Sequence, residues 1–189
     1  MLFKTLFTTV VVAVSALAAP LEERDTSQNK PHFNPSATWA YNVRTGEIAS
    51  TSRGVVSKFD ANKGNDITAL LTFTYPAASK GKQCQFAFYL NDGGNFHGSG
   101  KIDLFSSLTP APGTTATWPP GNQRNQHLAR LSVARGQDAS YDATYSTYLT
   151  KKTPCKAPGT KEGFELVGVY DNDFVSWNLN HAGPRIVYT

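Results

Sequence analysis

Cysteine is scarce: the 189 residues hold only Cys84 and Cys155. A structural zinc site draws on about four Cys or His ligands at close spacing, so two cysteines argue against one. Charged residues make up 17% of the chain, below the usual quarter. After residue 19 no apolar run approaches the ~20 residues that cross a bilayer, and no hydrophobic tail of the kind a lipid-anchor signal requires is present. The expectation is a soluble mature chain with no integral membrane segment. Asn34-Pro35-Ser36 carries proline in the middle position, so it is no glycosylation acceptor, and no other Asn-x-Ser/Thr occurs. There is no Gly-x-Ser-x-Gly elbow, no His-Glu-x-x-His pair and no repeat of fixed period. The net charge of +4 is scattered, with Lys151-Lys152 the only adjacent basic pair. Nucleic-acid binding calls for a basic stripe, so no nucleic-acid partner is expected.

What is present begins with the first residues. Met1–Ala19 has the three parts of a secretory signal: Lys4, an apolar stretch over Thr5–Leu17, and Ala16-Leu17-Ala18 as a small-x-small cleavage pattern. A buried N-terminal helix is the alternative. Residues 20–37 read as a pro-segment and disordered linker, with a cut after Arg24 and a loosely attached arm over Thr26–Ser36. Secretion makes a Cys84–Cys155 disulfide the expectation, with two buried free thiols as the alternative. The remaining domain, residues 38–189, is ample for one core.

Along that domain, short runs rich in aromatic and β-branched residues alternate with Gly, Pro, Asn and Asp. They predict strands around Trp39–Val43, Glu47–Thr51, Gly54–Phe59, Asp66–Tyr75, Cys84–Leu90, Ile102–Phe105 and Gln126–Ala134. A helix is the rival over the last of these. Ala139–Leu149 reads as strand or irregular structure. Asn91–Gly100, with four glycines, reads as a wide hairpin loop; it lacks the Gly-Lys-Ser/Thr ending of a phosphate-cradling loop. At the C-terminus, Phe164–Tyr170 and Phe174–Leu179 flank Asp171-Asn172-Asp173, the pattern of a β-hairpin, and Gly183-Pro184 introduces a third strand, Arg185–Tyr188. The whole predicts an all-β, antiparallel β-sandwich of about nine short strands.

Chemistry is harder to read. Asn91, Asp92 and Asn95, and Asp171, Asn172 and Asp173, offer oxygens, but calcium takes about six to eight, and Asn-Asp turns account for both groups. No metal and no cofactor are expected. Glu162, Glu165, Asp171 and Asp173 are the carboxylates a glycosidase would pair, and His32, His97, His127 and His181 complete the list of general bases. Solvated strand edges explain the carboxylates equally well, and no catalytic residue is assigned. Trp39 and Trp177 sit in strand patterns and read as core. Trp118, in a proline-rich loop, and Tyr89 are the candidate ligand-binding residues, as platforms for a carbohydrate or cell-wall polymer.

Several framework residues form a pattern: Cys84-x-Phe86-x-Phe88, a glycine-containing loop into Ile102–Leu108, Cys155, Gly163-Phe164-Glu165-Leu166, Val175-x-Trp177 and Gly183-Pro184-x-Ile186-x-Tyr188. Together they resemble a largely fungal family named for the C-terminal domain of a ubiquitin-3-binding protein, "But two". The resemblance spans about Trp39 to Tyr188. It implies a β-rich domain, often in small secreted proteins, and supplies no catalytic residues. The expected function is therefore a secreted, non-enzymatic binding or structural protein of the cell wall or extracellular space. A hydrolase of polysaccharide or peptide is the alternative.

Overall fold

The computed structural model describes residues 25–117 and 123–189. Its strands are β1 (His32–Phe33), β2 (Ala37–Asn42), β3 (Ile48–Ser50), β4 (Arg53–Phe59), β5 (Ile67–Thr74), β6 (Gln83–Leu90), β7 (Asn95–Gly98), β8 (Lys101–Ser107), β9 (Arg124–Ser132), β10 (Gln137–Asp138), β11 (Ser140–Thr144), β12 (Thr153–Pro154), β13 (Lys161–Gly168), β14 (Asn172–Asn178) and β15 (Gly183–Tyr188). No α-helix occurs among the described residues; three single 3-10 turns do. The helix considered over Gln126–Ala134 is the strand β9. Its pairing on both edges, with β8 and β11, outweighs the helical propensity of Ala and Leu.

The strands form an antiparallel, curled sandwich. The larger sheet runs β11-β9-β8-β13-β5-β4-β14-β7, with β2 and β3 beside β5; the smaller runs β1-β15-β6-β10, with β12 also on β6. Inward-facing residues meet in one core. Phe86 and Phe88 come from β6, Leu71 and Phe73 from β5, Ile102 and Leu104 from β8, Phe164 and Leu166 from β13, and Trp177 from β14. Along β6 every second residue is buried, the period of a sheet with one face on the core. β5 is buried on both faces, because Leu70 packs outward against Tyr41 and Ile48 in a second small cluster.

Trp177 sits where the two sheets meet. It is 1% exposed and packs edge-to-face on Phe88 of the smaller sheet at 5.1 Å. Its indole also occupies the space above Gly54, its cross-strand neighbour on β4, and above Gly183 on β15. A Cβ at Gly54 would stand 1.9 Å from the ring, and one at Gly183 2.1 Å.

Cys84 and Cys155 form the disulfide, closing a sequence separation of 71 residues. A loop of that length stabilises by roughly 4 kcal/mol in the chain-entropy account.

Three expectations are corrected. The segments around Asp171–Asp173 are no hairpin. β13 is paired on both edges, by β5 and β8, and so has no edge to offer β14, which pairs with β4 and β7 instead. β15 then leaves for the smaller sheet. Asp173 is the reason the intervening turn is tight. It is buried, and its carboxylate accepts from the backbone N–H groups of Ser99, Val169 and Tyr170 and from the Ser99 hydroxyl. Second, Asn91–Gly100 is more than a loop, since Asn95–Gly98 forms the edge strand β7 against β14. Third, the described part of residues 20–37 is not disordered. The arm contributes β1 to the edge of β15, and Phe33 packs on Phe73, Tyr75 and Tyr188.

A methyl group at Gly54 has no room beside the Trp177 indole, and overpacking of this kind costs about 3 kcal/mol. Gly54→Ala should therefore lower the denaturation midpoint, read by Trp fluorescence, and a midpoint equal to that of the wild type would contradict this packing.

Candidate functional site

The outer face of the larger sheet carries a cluster of paired charges. On β8, Lys101, Asp103 and Phe105 point away from Ile102 and Leu104, as the period of a strand requires. Each faces a partner from β9, β11 or β13. Arg130 on β9 donates from Nε and Nη2 to Asp103 Oδ1 and Oδ2, at 2.9 and 3.0 Å. Arg124 donates in the same way to Glu165 on β13, both bonds 2.8 Å, and Thr68 adds a third donor at 2.7 Å. Lys101 pairs with Asp142, which also accepts from Ser132.

Each guanidinium meets a carboxylate side-on, the strong bidentate geometry. The hydrogen bonds to Glu165 and Asp103 raise the pKa of Arg124 and Arg130, outweighing partial desolvation. The hydrogen bond from Lys101, helped by Ser132, holds the Asp142 carboxyl below the usual carboxylate range. Glu165 is wholly buried, and a buried carboxylate persists only when paired and hydrogen-bonded in this way.

Aromatic rings thread between the charges. His127 stacks on Phe105 at 4.4 Å and 20°, and Tyr145 covers its other face at 4.2 Å. Arg124 lies over Phe105 and Arg130 over Tyr170, with 4.8 and 5.9 Å to the ring centroids. His127 Nε2 comes within 3.3 Å of Asp103 Oδ1 but off the hydrogen-bonding direction, which leaves it without a hydrogen-bond partner. The outer rim is Tyr145, 53% exposed, and Tyr170, 51% exposed. Both are close enough to act on the Arg130 charge. A shallow groove of about 170 Å³ continues from Arg124 past Thr68 and Val167 to Val43 and Lys58.

The residues singled out in the sequence do not assemble at one place. Trp118 lies outside the described residues. Tyr89 is on the smaller sheet, half-buried, with the Arg185 guanidinium 5.2 Å from its ring centroid. Glu162 accepts from Tyr75 and from Tyr148 at 2.6 Å each; Glu165 is held by Arg124, Asp173 caps its turn, and Asp171 pairs with Lys58 at 3.3 Å. His32 bonds the Lys30 carbonyl and His97 approaches Asn95, while His181 is exposed in the turn before β15. The carboxylates a glycosidase would pair thus have separate partners. What sequence reading missed is Asp103, Arg124, Arg130, Phe105, Tyr145 and Tyr170. The alternation Lys101-x-Asp103-x-Phe105 was there to be seen. Its partners were not, because the β8–β9 register shifts twice, between Leu104 and Phe105 and between Phe105 and Ser107.

Residues 47–178 match the family model described as Ubiquitin 3 binding protein But2 C-terminal domain. The chain belongs to this family. The But2 match contains every strand of the charged and aromatic face, β5, β8, β9, β11 and β13, and ends with β14. β1, β2 and β15 lie beyond it. No curated protein matches the chain.

Burial, with the Glu162 carboxylate beside two of them, pushes the Tyr75, Tyr141 and Tyr148 phenols above the ordinary tyrosine value. A group whose folded pKa is raised stabilises the fold fully below its unfolded value, near 10 for tyrosine, and that stability is lost as pH rises further. The free energy of unfolding, measured by denaturant titration, should therefore fall above about pH 10, by about 1.4 kcal/mol per pH unit for each tyrosine still protonated only in the folded state. Tyr75→Phe and Tyr148→Phe should each flatten that slope; an unchanged slope in both variants would count against the shifts.

Proposed function

We propose that this But2-family chain is a secreted, non-enzymatic binding domain, and that the outer face of its larger sheet holds a carbohydrate or cell-wall polymer. The observation that carries the reading is the exposed pair Tyr145 and Tyr170 with Arg130 between them. Tyrosine and arginine are the side chains that supply most binding energy at specific surfaces, since each offers a flat apolar face and a polar end. Here Arg130 is held in place by Asp103, so little of its freedom is lost on binding. The Phe105–His127–Tyr145 stack fixes one tyrosine in the same way. Sugar rings present alternating C–H faces and hydroxyls, which such a platform accommodates. Tyr89, on the smaller sheet, and Trp118 remain proposed as ligand contacts apart from this face.

The carboxylates on this face favour binding over hydrolysis. A guanidinium occupies both oxygens of Asp103 and both of Glu165, so neither carboxylate is placed to reach a leaving group. The family description attributes ubiquitin 3 binding to the But2 protein; a protein of that fold is the competing ligand, and one assay separates the two. Wild-type protein should be retained on chitin, glucan or cellulose, and Tyr145→Ala/Tyr170→Ala should lose about tenfold or more in affinity while keeping its denaturation midpoint. Retention at background on all three polymers, with capture on immobilised ubiquitin instead, would overturn the carbohydrate reading.

Secretion and removal of the first residues are part of the proposal. The motivation is the signal-like Met1–Ala19 followed by Arg24. N-terminal sequencing of protein recovered from the medium should begin at Asp25; a start at Ala19 excludes the second cut.

A further inference from the structure

Arg185 stands apart from the other ordered arginines of the sheets. As the cross-strand neighbour of Ala87 it projects from the outer face of the smaller sheet, yet it is 1% exposed. Arg124 and Arg130 each turn the Nε/Nη2 edge of the guanidinium to a carboxylate. In Arg185 the Nε on that edge is buried with no hydrogen-bond partner. Among the described residues its one hydrogen bond leaves from Nη1, to the neutral Gln28 Oε1 at 2.6 Å. Burial lowers the pKa of the guanidinium, and Asp138 and the Tyr89 ring only partly offset this. Asp138 does not serve as a direct partner: its two oxygens accept from Ser27, one from the backbone N–H at 2.6 Å and one from the hydroxyl. A buried cation lacking its counter-ion is costly, and a planar, desolvated guanidinium edge is built to receive a planar anion.

What covers Arg185 is the segment Asp25–Lys30, whose six residues, Asp-Thr-Ser-Gln-Asn-Lys, include no apolar side chain. Its hold on the sheet is polar: Ser27 on Asp138 and Gln28 on Arg185. The apolar anchor of the arm comes later, at Phe33. The strap can therefore lift without disturbing the core, with Pro31 between the two parts. Beside the strap a groove of about 180 Å³ lies between Ser27 and Lys30 on one side and Gln85, Ala87 and Asp138 on the other; Arg185 does not line it, so its guanidinium edge is reached only when the strap lifts.

We propose that Arg185 is the anchor of a carboxylate-binding site on the outer face of the smaller sheet, and that Asp25–Lys30 is a strap covering it. The ligand carboxylate takes the Nε/Nη2 edge once the strap lifts and Gln28 leaves Nη1; Lys30, paired with Asp25 at 3.0 Å while the strap is closed, stands at the groove mouth. The site is separate from the Tyr145–Arg130–Tyr170 face, which lies on the other sheet.

The test uses the full chain and malonate as the probe. In wild-type protein the side-chain ¹⁵Nε resonance of Arg185 should move on adding malonate and stay still with chloride at equal ionic strength. Ser27→Ala/Gln28→Ala, which loosens the strap, should bind malonate about tenfold more tightly, because binding no longer competes with closure. Adding Arg185→Lys to that variant, which keeps the charge and removes the edge, should abolish binding. The proposal is overturned if malonate leaves the Arg185 resonance unmoved in wild type, if the loosened variant binds no more tightly, or if Arg185→Lys binds equally well. Inorganic phosphate moving the resonance as strongly as malonate would overturn the assignment of a carboxylate.

Discussion

The indole of Trp177 joins the two sheets, and the rest of the architecture depends on the space it takes. It hangs from β14 in the larger sheet, lies against Phe88 and Gly183 in the smaller one, and presses on the bare backbone of Gly54 alongside. Two glycines are needed because a sheet-to-sheet gap filled by the largest side chain leaves no room for a Cβ on either flank. Interiors pack at crystal-like density, so this contact sets how far apart the sheets stand at that end. The disulfide ties β6, a central strand of the smaller sheet, to the segment just after β12. It limits the unfolded chain more than it shapes the native one.

With the interior so apolar, the polar chemistry is driven to the outer faces, and the two faces resolve it differently. On the larger sheet the buried carboxylates are all satisfied, Asp103 and Glu165 by arginines and Asp173 by backbone N–H groups and the Ser99 hydroxyl. Arg130 and Asp103, and Arg124, Glu165 and Thr68, complete one another across strands, and the aromatic rings fill the spaces between them. Removing one member of such a pair leaves a buried charge exposed to the interior, so these contacts rigidify the face. A rigid face with two exposed tyrosines is suited to holding a ligand. On the smaller sheet Arg185 found only an amide. The strap that supplies it is polar and short, the kind of segment that opens at low cost.

The arm also shows how far the domain extends beyond its family core. The But2 match ends with β14, yet β6 at the centre of the smaller sheet depends on β15 for a neighbour, and β15 in turn carries β1. The strap and Arg185 both lie in these outer segments, whereas the tyrosine–arginine face lies within the match.

Much of the fold was legible in the residues. Alternation in Cys84–Leu90 and the β-branched run over Ile67–Thr74 specify strands because one face, or both, must be apolar, and that requirement is local. Two cysteines leave one pairing. Pairing partners were not legible. Phe164–Leu166 and Phe174–Trp177 look like the two arms of a hairpin, but whether adjacent strands pair depends on which other strands claim their edges, and β5 and β8 had already taken both edges of β13. The same holds for function. Asp103, Arg124, Arg130 and Tyr145 are unremarkable in sequence, and Tyr89 drew notice for a ring that Arg185 overlies. The β class, the single cross-link and the buried aromatic core could be read from the residues alone, since each follows from residue type and short-range period. Which charges neutralise one another, and that Arg185 is met by an amide, emerged in the folded chain, because electrostatic partners are chosen by register and burial across strands far apart in the chain.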